Sequence, residues 1–233
     1  MGDQFTEGAV FYLVFVFAVT LHEAAHAWAA KLGGDLTAYY GGQVSLDPIP
    51  HIRREPFGMV VLPILSVILT GWPFGYASAP YDPAWARRHP KRAGWMALAG
   101  PGANLLLVLI AAVIIFLGVQ ASVFTAPDSV FFSQVTSGAG GAGAQAVAFV
   151  LSVFFSLNLV LLILNLIPVP PLDGYGALAL ILPASAVEAY QDFSRQPMIG
   201  WVGILVAWRL FGFLYQPIFL FAVNLLYPAA QYG

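Results

Sequence analysis

The chain of 233 residues is 60% hydrophobic and 9% charged, with a formal net charge of -2 at pH 7. Its mean hydropathy of +0.81 is typical of a polytopic membrane protein and excludes an ordinary soluble domain. The chain has no cysteine, which excludes disulfides and thiolate ligands. We expect no nucleic-acid partner.

Four apolar stretches are long enough to cross a hydrocarbon core about 30 Å thick. They cover residues 8–32, 94–119, 144–167 and 199–226. No Lys or Arg precedes the first stretch, unlike a cleavable signal peptide, so we expect this helix to remain in the mature protein. The sequence predicts an all-α polytopic membrane protein with about four to six membrane segments. Residues 1–233 would form a single integral-membrane domain.

The first stretch contains the sequence His22-Glu23-Ala24-Ala25-His26. Residues four apart share one face of a helix, so both imidazoles can bind the same metal with Glu23 beside them as general base. An acidic side chain at mid-membrane costs roughly 2.5–3.5 kcal/mol, so its presence needs an explanation. Chance is a weak alternative, because the chain has only four histidines. The pattern predicts a catalytic site with one Zn²⁺ per chain.

A catalytic zinc usually takes three protein ligands and keeps a further position open. Asp173 is the best candidate for the third ligand after His22 and His26. It follows a long apolar helix that ends in a run of prolines at positions 168, 170 and 171. Prolines end a helix and allow the chain to turn inward. We therefore expect Asp173 to meet the two histidines.

Three motifs together resemble the site-2 proteases, the intramembrane zinc metalloproteases of peptidase family M50. They are the histidine motif at 22–26, the sequence AGPGAN at 99–104, and NLIPVPPLDG at 165–174. The resemblance extends over nearly the whole chain. It implies a zinc endopeptidase that hydrolyses peptide bonds within or near transmembrane segments of other membrane proteins. Its partners would be those transmembrane substrates and the lipid bilayer.

The resemblance also sets expectations for the extent of the protein. No stretch is long and polar enough for a PDZ or CBS domain, so we expect a minimal member that consists of the membrane core. The motif after Asp173 continues as Tyr175-Gly176-Ala177-Leu178, where many relatives carry a basic residue. Contacts in this region would therefore differ from those of such relatives.

Two asparagines are candidates for binding the substrate backbone. A buried amide in a membrane helix needs a partner and offers both a donor and an acceptor. The resemblance favours substrate positioning for Asn165. For Asn104, a hydrogen bond to a neighbouring helix is an equal alternative, and the sequence leaves this choice open.

Basic residues predict the orientation of the chain. Residues 87–92 contain four Lys or Arg residues, whereas residues 120–143 contain none, so the first segment is expected on the cytoplasmic side and the second outside. The basic residues would serve as topology determinants and contacts for anionic lipid. The zinc site would lie toward the cytoplasmic side of a cell membrane, which we expect to be prokaryotic.

The apolar run at 57–75 is shorter than the others, and both of its flanks are expected on the cytoplasmic side. A single crossing cannot satisfy this, so we predict a re-entrant segment. Many site-2 proteases have a re-entrant stretch with β structure at this place, and residues 74–80 occupy the same position here. Such a stretch would offer an edge to an unwound substrate.

Two other functions remain open at this stage. One is a catalytically silent membrane scaffold or transporter that has kept the fold, although the intact Glu23 argues against it. The other is a zinc hydrolase that acts on a small or lipidic substrate through the same ligands.

Overall fold

The computed structural model describes residues 2–194 and 196–233. Its helices in chain order are α1 (Gly2–Leu32), α2 (Thr37–Tyr40), α3 (Pro48–Arg54), α4 (Leu62–Thr70), α5 (Pro83–Arg88), α6 (Pro90–Gln120), α7 (Ala142–Leu166), α8 (Asp173–Ala177), α9 (Ala184–Ser194) and α10 (Pro197–Leu226). A π-helical turn, Phe57–Val61, leads into α4, and a 3₁₀ turn, Leu178–Leu180, follows α8. Two short antiparallel strands, β1 (Phe124–Thr125) and β2 (Ser137–Gly138), lie between α6 and α7.

Within the described ranges, four helices are long and apolar enough to cross a membrane, namely α1, α6, α7 and α10. They coincide with the four predicted stretches, which confirms the all-α polytopic fold. Their outer faces carry exposed large apolar side chains, such as Leu205 and Phe213 on α10. Such surfaces suit a hydrocarbon solvent, in which an apolar exterior carries no penalty.

Two apolar clusters hold the spans together. One joins α6, α7 and α10 through side chains that include Ile115, Phe155 and Phe219. The other joins α1 and α7 to the π-helical turn through residues that include Phe15 and Met59. Both clusters involve α7, so this helix contacts the other spans and fixes their relative positions.

Basic side chains fasten one end of the bundle. Arg92 donates to the Gly33 carbonyl at 3.1 Å, which ties the start of α6 to the end of α1. Lys91 donates to the Leu180 carbonyl at 2.7 Å, which ties the same turn to the segment after α8. These cations, predicted as topology determinants and lipid contacts, therefore also satisfy backbone carbonyls at helix ends.

Residues 55–82 form a hairpin that begins and ends at this same end of the bundle. Arg54 donates to the Ser78 carbonyl at 3.1 Å, which joins the two arms. At the tip, Trp72 packs against Phe132 in the α6–α7 connection, with ring centroids 4.2 Å apart. Both flanks thus lie together while the tip reaches the opposite end. This is the arrangement that the predicted re-entrant segment requires.

The returning arm of the hairpin, residues 71–82, forms neither helix nor strand within the described part of the chain. The amide of Tyr76 donates to the Gly58 carbonyl at 3.1 Å. The expected β structure is wrong for this arm, because it has no second strand beside it. Prolines at 73 and 80 also remove donors that a ladder would need.

Candidate active site

Three side-chain atoms from two distant parts of the chain converge inside the bundle. Nε2 of His22 and Nε2 of His26 are 3.0 Å apart. Oδ2 of Asp173 lies 3.0 Å from the first nitrogen and 3.3 Å from the second. The histidines project from one face of α1, and the aspartate is the first residue of α8. His22 and Asp173 are 151 residues apart in the sequence. Helix α6 contacts both α1 and α8 and so holds the two segments next to each other.

The triangle of donor atoms fits a zinc ion. In a tetrahedral site with metal–ligand distances of about 2.0–2.2 Å, ligand atoms stand roughly 3.3 Å from one another. The observed separations of 3.0, 3.0 and 3.3 Å match this spacing to within a few tenths of an ångström. Two imidazoles and one carboxylate are a donor set that catalytic zinc sites use, and three protein ligands leave a further position for water.

Each imidazole is held by its other nitrogen. Nδ1 of His26 donates to the Met96 carbonyl at 2.7 Å. Nδ1 of His22 donates to Oδ1 of Asn104 at 2.6 Å. A proton on Nδ1 leaves the lone pair of Nε2 free for a metal, so these partners present both histidines in the tautomer that a ligand needs.

Glu23 lies beside the ligand atoms. One oxygen of its carboxylate lies within 4.8 Å of a ring nitrogen of each histidine, and the residue is only 6% exposed. It lines a cavity of about 450 Å³ together with His26 and Asp173. A carboxylate in this position can exchange a proton with a water molecule that lies next to the histidines.

The wall of this cavity comes mainly from five further segments. These are the returning arm of the hairpin, the start of α6, the proline turn before Asp173, and helices α8 and α9. The hydroxyl of Tyr175 on α8 donates to the carbonyl of Tyr190 on α9 at 2.7 Å, and the hydroxyl of Tyr190 donates back to the carbonyl of Tyr175. Burial, followed by the neighbouring phenols, raises the pKa of Tyr190 to about 12, so this ring stays neutral at physiological pH.

Close backbone packing places Asp173 opposite the histidines. A Cβ on Gly174 would stand 2.3 Å from the carbonyl oxygen of Leu166, and one on Gly176 would stand 2.7 Å from Cβ of Ala97. Only residues without a side chain allow α8 to approach the end of α7 and the flank of α6 so closely. The glycine that follows Asp173 therefore helps to set the position of its carboxylate.

The two predicted substrate-binding asparagines lie in different surroundings. Asn104 is fully buried, and its amide nitrogen donates to Asn158 at 2.9 Å while its oxygen accepts from His22. It therefore makes the interhelical contact that the sequence left open as an alternative. Asn165 is half-buried at the end of α7, and its amide nitrogen donates to the Leu161 carbonyl at 3.1 Å.

Sequence reasoning missed the role of Gly100. A Cβ there would stand 2.3 Å from Nε2 of His26 and 2.5 Å from Nε2 of His22. Because Gly100 has no side chain, α6 leaves room for the two Nε2 atoms to lie close to its backbone. Gly100 belongs to the motif at 99–104, which could have marked it as a candidate. The motif alone does not show which of its residues faces the histidines.

Comparison with known proteins identifies the class. The profile of peptidase family M50 matches residues 10–207. The chain is 33% identical over 182 residues to YwhC of Bacillus subtilis, named as a candidate zinc metalloprotease, in a match that covers 74% of this chain and 69% of that protein. It is 31% identical over 172 residues to Rip2 of Mycolicibacterium smegmatis, named likewise, with 72% of this chain and 57% of that protein covered. No solved structure matches.

The helices and these matches define a metalloprotease with several membrane spans. The chain belongs to peptidase family M50, the family that its three motifs resemble.

Proposed function

We propose that this protein is an intramembrane zinc endopeptidase that hydrolyses peptide bonds within or near transmembrane segments of other membrane proteins. The observation that carries the proposal is the convergence of His22, His26 and Asp173 inside a bundle of membrane-length helices. These three residues would hold one Zn²⁺, with their donor atoms already at the spacing of a tetrahedral site. When bound, the ion would supply a Lewis acid for the scissile carbonyl and the attacking water.

Glu23 would act as general base and then as general acid. Its carboxylate takes a proton from the attacking water as the new C–O bond forms, and returns it to the amide nitrogen as the C–N bond breaks. The carboxylate ends the cycle as it began, so no other proton carrier is required. Its position beside both histidines, at the cavity wall, supports this role.

The substrate must be locally extended at the bond that is cut, because a peptide bond within a helix is hydrogen-bonded and shielded. The returning arm of the hairpin is a suitable partner for such a strand. Residues 77–79 line the cavity, and the backbone groups of Ala77 and Ala79 make no hydrogen bond within the described part of the chain. They would pair with an unwound substrate by strand addition.

Asn165 would assist this positioning. Its amide nitrogen is engaged by the Leu161 carbonyl, which leaves the amide oxygen turned to accept from a substrate N–H group. The residue directly precedes Leu166, whose carbonyl packs against Gly174 beside the third ligand. Asn165 is thus attached to the same turn that carries Asp173.

The protein would reside in a prokaryotic cytoplasmic membrane, with its active site toward the cytoplasmic end. The end of the bundle near the site carries Lys91 and Arg92, whose hydrogen bonds link α6 to the end of α1 and to the segment after α8. Lys and Arg favour the cytoplasmic side.

The test is zinc content and cleavage by the purified protein in lipid vesicles. Wild type should bind about one zinc per chain, and His22→Ala and Asp173→Ala should lose it. Glu23→Gln should keep zinc and lose roughly 10²- to 10⁴-fold in the rate of cleavage of a co-reconstituted transmembrane peptide. Wild-type protein that binds no zinc after metal repletion would contradict the proposal of a zinc endopeptidase. Zinc binding with hydrolysis of lipidic esters alone would point to the other hydrolase, and zinc with no hydrolysis to a silent scaffold.

A further inference from the structure

We infer that Asn158, which is on α7 and does not line the cavity, is a positioning residue for the zinc ligand His22. Asn158 is fully buried and is not part of any motif that the sequence analysis identified. It acts through Asn104 on α6, so that three membrane helices cooperate to orient one imidazole. The inference rests on the proposed zinc site.

The hydrogen bonds form one continuous chain. Nδ1 of His22 donates to Oδ1 of Asn104 at 2.6 Å. Nδ2 of Asn104 donates to Oδ1 of Asn158 at 2.9 Å. Nδ2 of Asn158 donates to the carbonyl of Phe154, one turn earlier on α7, at 2.8 Å. All three side chains that carry the relay are at most 6% exposed, so water does not compete for their polar groups.

The direction of this relay is set at its far end. A backbone carbonyl can only accept, so Asn158 must turn its NH₂ group toward Phe154 and its oxygen toward Asn104. Asn104 must then turn its own NH₂ group toward Asn158 and its oxygen toward His22. An oxygen in that place requires a proton on Nδ1 of His22 and leaves Nε2 as the metal-binding atom.

The other ligand shows why the relay is needed. His26 reaches a backbone carbonyl directly, because Met96 on α6 is adjacent to it. His22 faces a side-chain amide, and an amide presents an oxygen or an NH₂ group with nearly equal ease. Without Asn158, Asn104 could turn its NH₂ group toward His22 and favour the tautomer whose Nε2 carries the proton. Asn158 removes this ambiguity.

The test is a double-mutant cycle on zinc affinity, measured by competition with a chelator. Asn158→Leu should weaken zinc binding about tenfold, at the lower end of the 10- to 100-fold range for groups that orient a ligand. Asn104→Asp supplies a carboxylate that accepts from His22 in either orientation. In that background Asn158→Leu should therefore change the affinity by less than about twofold, since no amide remains to be oriented.

Ser152→Ala is the matched control. Ser152 is also fully buried on α7, and its hydroxyl accepts from the amides of Val135 and Thr136. Its loss should lower the melting temperature while zinc affinity stays at the wild-type value. It thus reports what a weakened α7 does when the relay is intact.

The outcomes separate the two proposals. Wild type that binds no zinc would overturn the metal site and the relay together. Wild type that binds zinc, with Asn158→Leu either unchanged or equally weakened in both backgrounds, would overturn the relay alone. If Asn158→Leu does not fold, ¹⁵N NMR of histidine-labelled wild type without metal decides the matter. A proton on Nδ1 of His22 supports the relay, whether or not Nε2 also carries one toward Asp173, and a His22 ring without a proton on Nδ1 contradicts it.

Discussion

Gly100 faces His26 so closely that a Cβ at position 100 would stand 2.3 Å from Nε2 of the imidazole. The same Cβ would stand 2.5 Å from Nε2 of His22. The space that a side chain would need is therefore the space in which the donor atoms meet. Helix α6 supports the proposed metal site by having no side chain at this point.

Gly100→Ala should abolish the site without unfolding the bundle. The added methyl group would push the imidazoles away from Asp173, and a displacement of about 1 Å costs on the order of 10²-fold in activity. Zinc content should fall in parallel, as measured on the purified protein.

Gly102→Ala is the control for Gly100→Ala. It lies on the same helix, and a Cβ there meets no atom within 4 Å. Both changes raise helix propensity by about 1 kcal/mol, so only the steric effect on the histidines distinguishes them. Equal zinc content in the two variants would show that Gly100 has no special relation to the ligands.

The parts of the site that the sequence predicted are those that follow from local geometry. His22 and His26 share a face because a helix repeats every 3.6 residues, and Glu23 necessarily lies beside them. Asp173 followed from the prolines that end α7. The four spans followed from the length of apolar stretches, which the thickness of a membrane makes diagnostic.

The remaining parts depend on how helices pack, which no local pattern encodes. The contact between His22 and Asn104 joins residues 82 positions apart, and it requires a particular rotation of α6 against α1. The same rotation turns Gly100 toward the histidines. The resemblance suggested β structure in the returning arm, but pairing needs a second strand, and the described residues provide none beside it.

The depth of the hairpin can be tested by labelling single cysteines, because the natural chain has no cysteine. Trp72 packs against Phe132, so in the proposed orientation the tip of the hairpin should be reached from the outer side and the start of both arms from the inner side. In intact cells, a membrane-impermeant maleimide should label Thr70→Cys and the exposed Ser129→Cys. It should label Arg53→Cys only after permeabilisation. Labelling of Thr70→Cys together with Arg53→Cys would contradict the arrangement.

The returning arm should contribute backbone hydrogen bonds to substrate binding. Ala77→Pro removes one N–H group from the arm and keeps the backbone extended. We expect a loss of about tenfold in kcat/KM for a transmembrane peptide, in line with the roughly 1.5 kcal/mol that a hydrogen bond contributes at most between neutral groups. Zinc content should not change.

Ala77→Val serves as the comparison for Ala77→Pro. It adds side-chain bulk but keeps the N–H group, so it should retain more activity than the proline variant. If valine and proline are equally harmful, the side chain rather than the backbone of residue 77 determines the effect.

Asp35 should make the stability of the protein depend on pH outside the membrane spans. Its buried carboxylate accepts from the amide and hydroxyl of Thr37 and, at 2.7 Å, from the amide of Asp82, which joins the end of α1 to the start of α5. Burial alone would raise the pKa of Asp35, but the hydrogen bonds outweigh it and hold the pKa below its usual value.

Because the folded-state pKa is lower than the unfolded value of about 3.9, the carboxylate stabilises the protein fully above that pH. The stabilisation is lost as the pH falls through the folded-state pKa. Asp35→Asn should lower the free energy of unfolding by about 1.5–3 kcal/mol at pH 7, the range for hydrogen bonds to a charged group. The difference in melting temperature from wild type should then shrink as the pH is lowered below about 4.

Asp47→Asn is the control. Asp47 is the exposed N-cap of α3, and its substitution should have little effect at pH 7 because Asn caps a helix nearly as well as Asp. A constant gap between wild type and Asp35→Asn from pH 7 to pH 3 would show that the charge of Asp35 does not stabilise the fold.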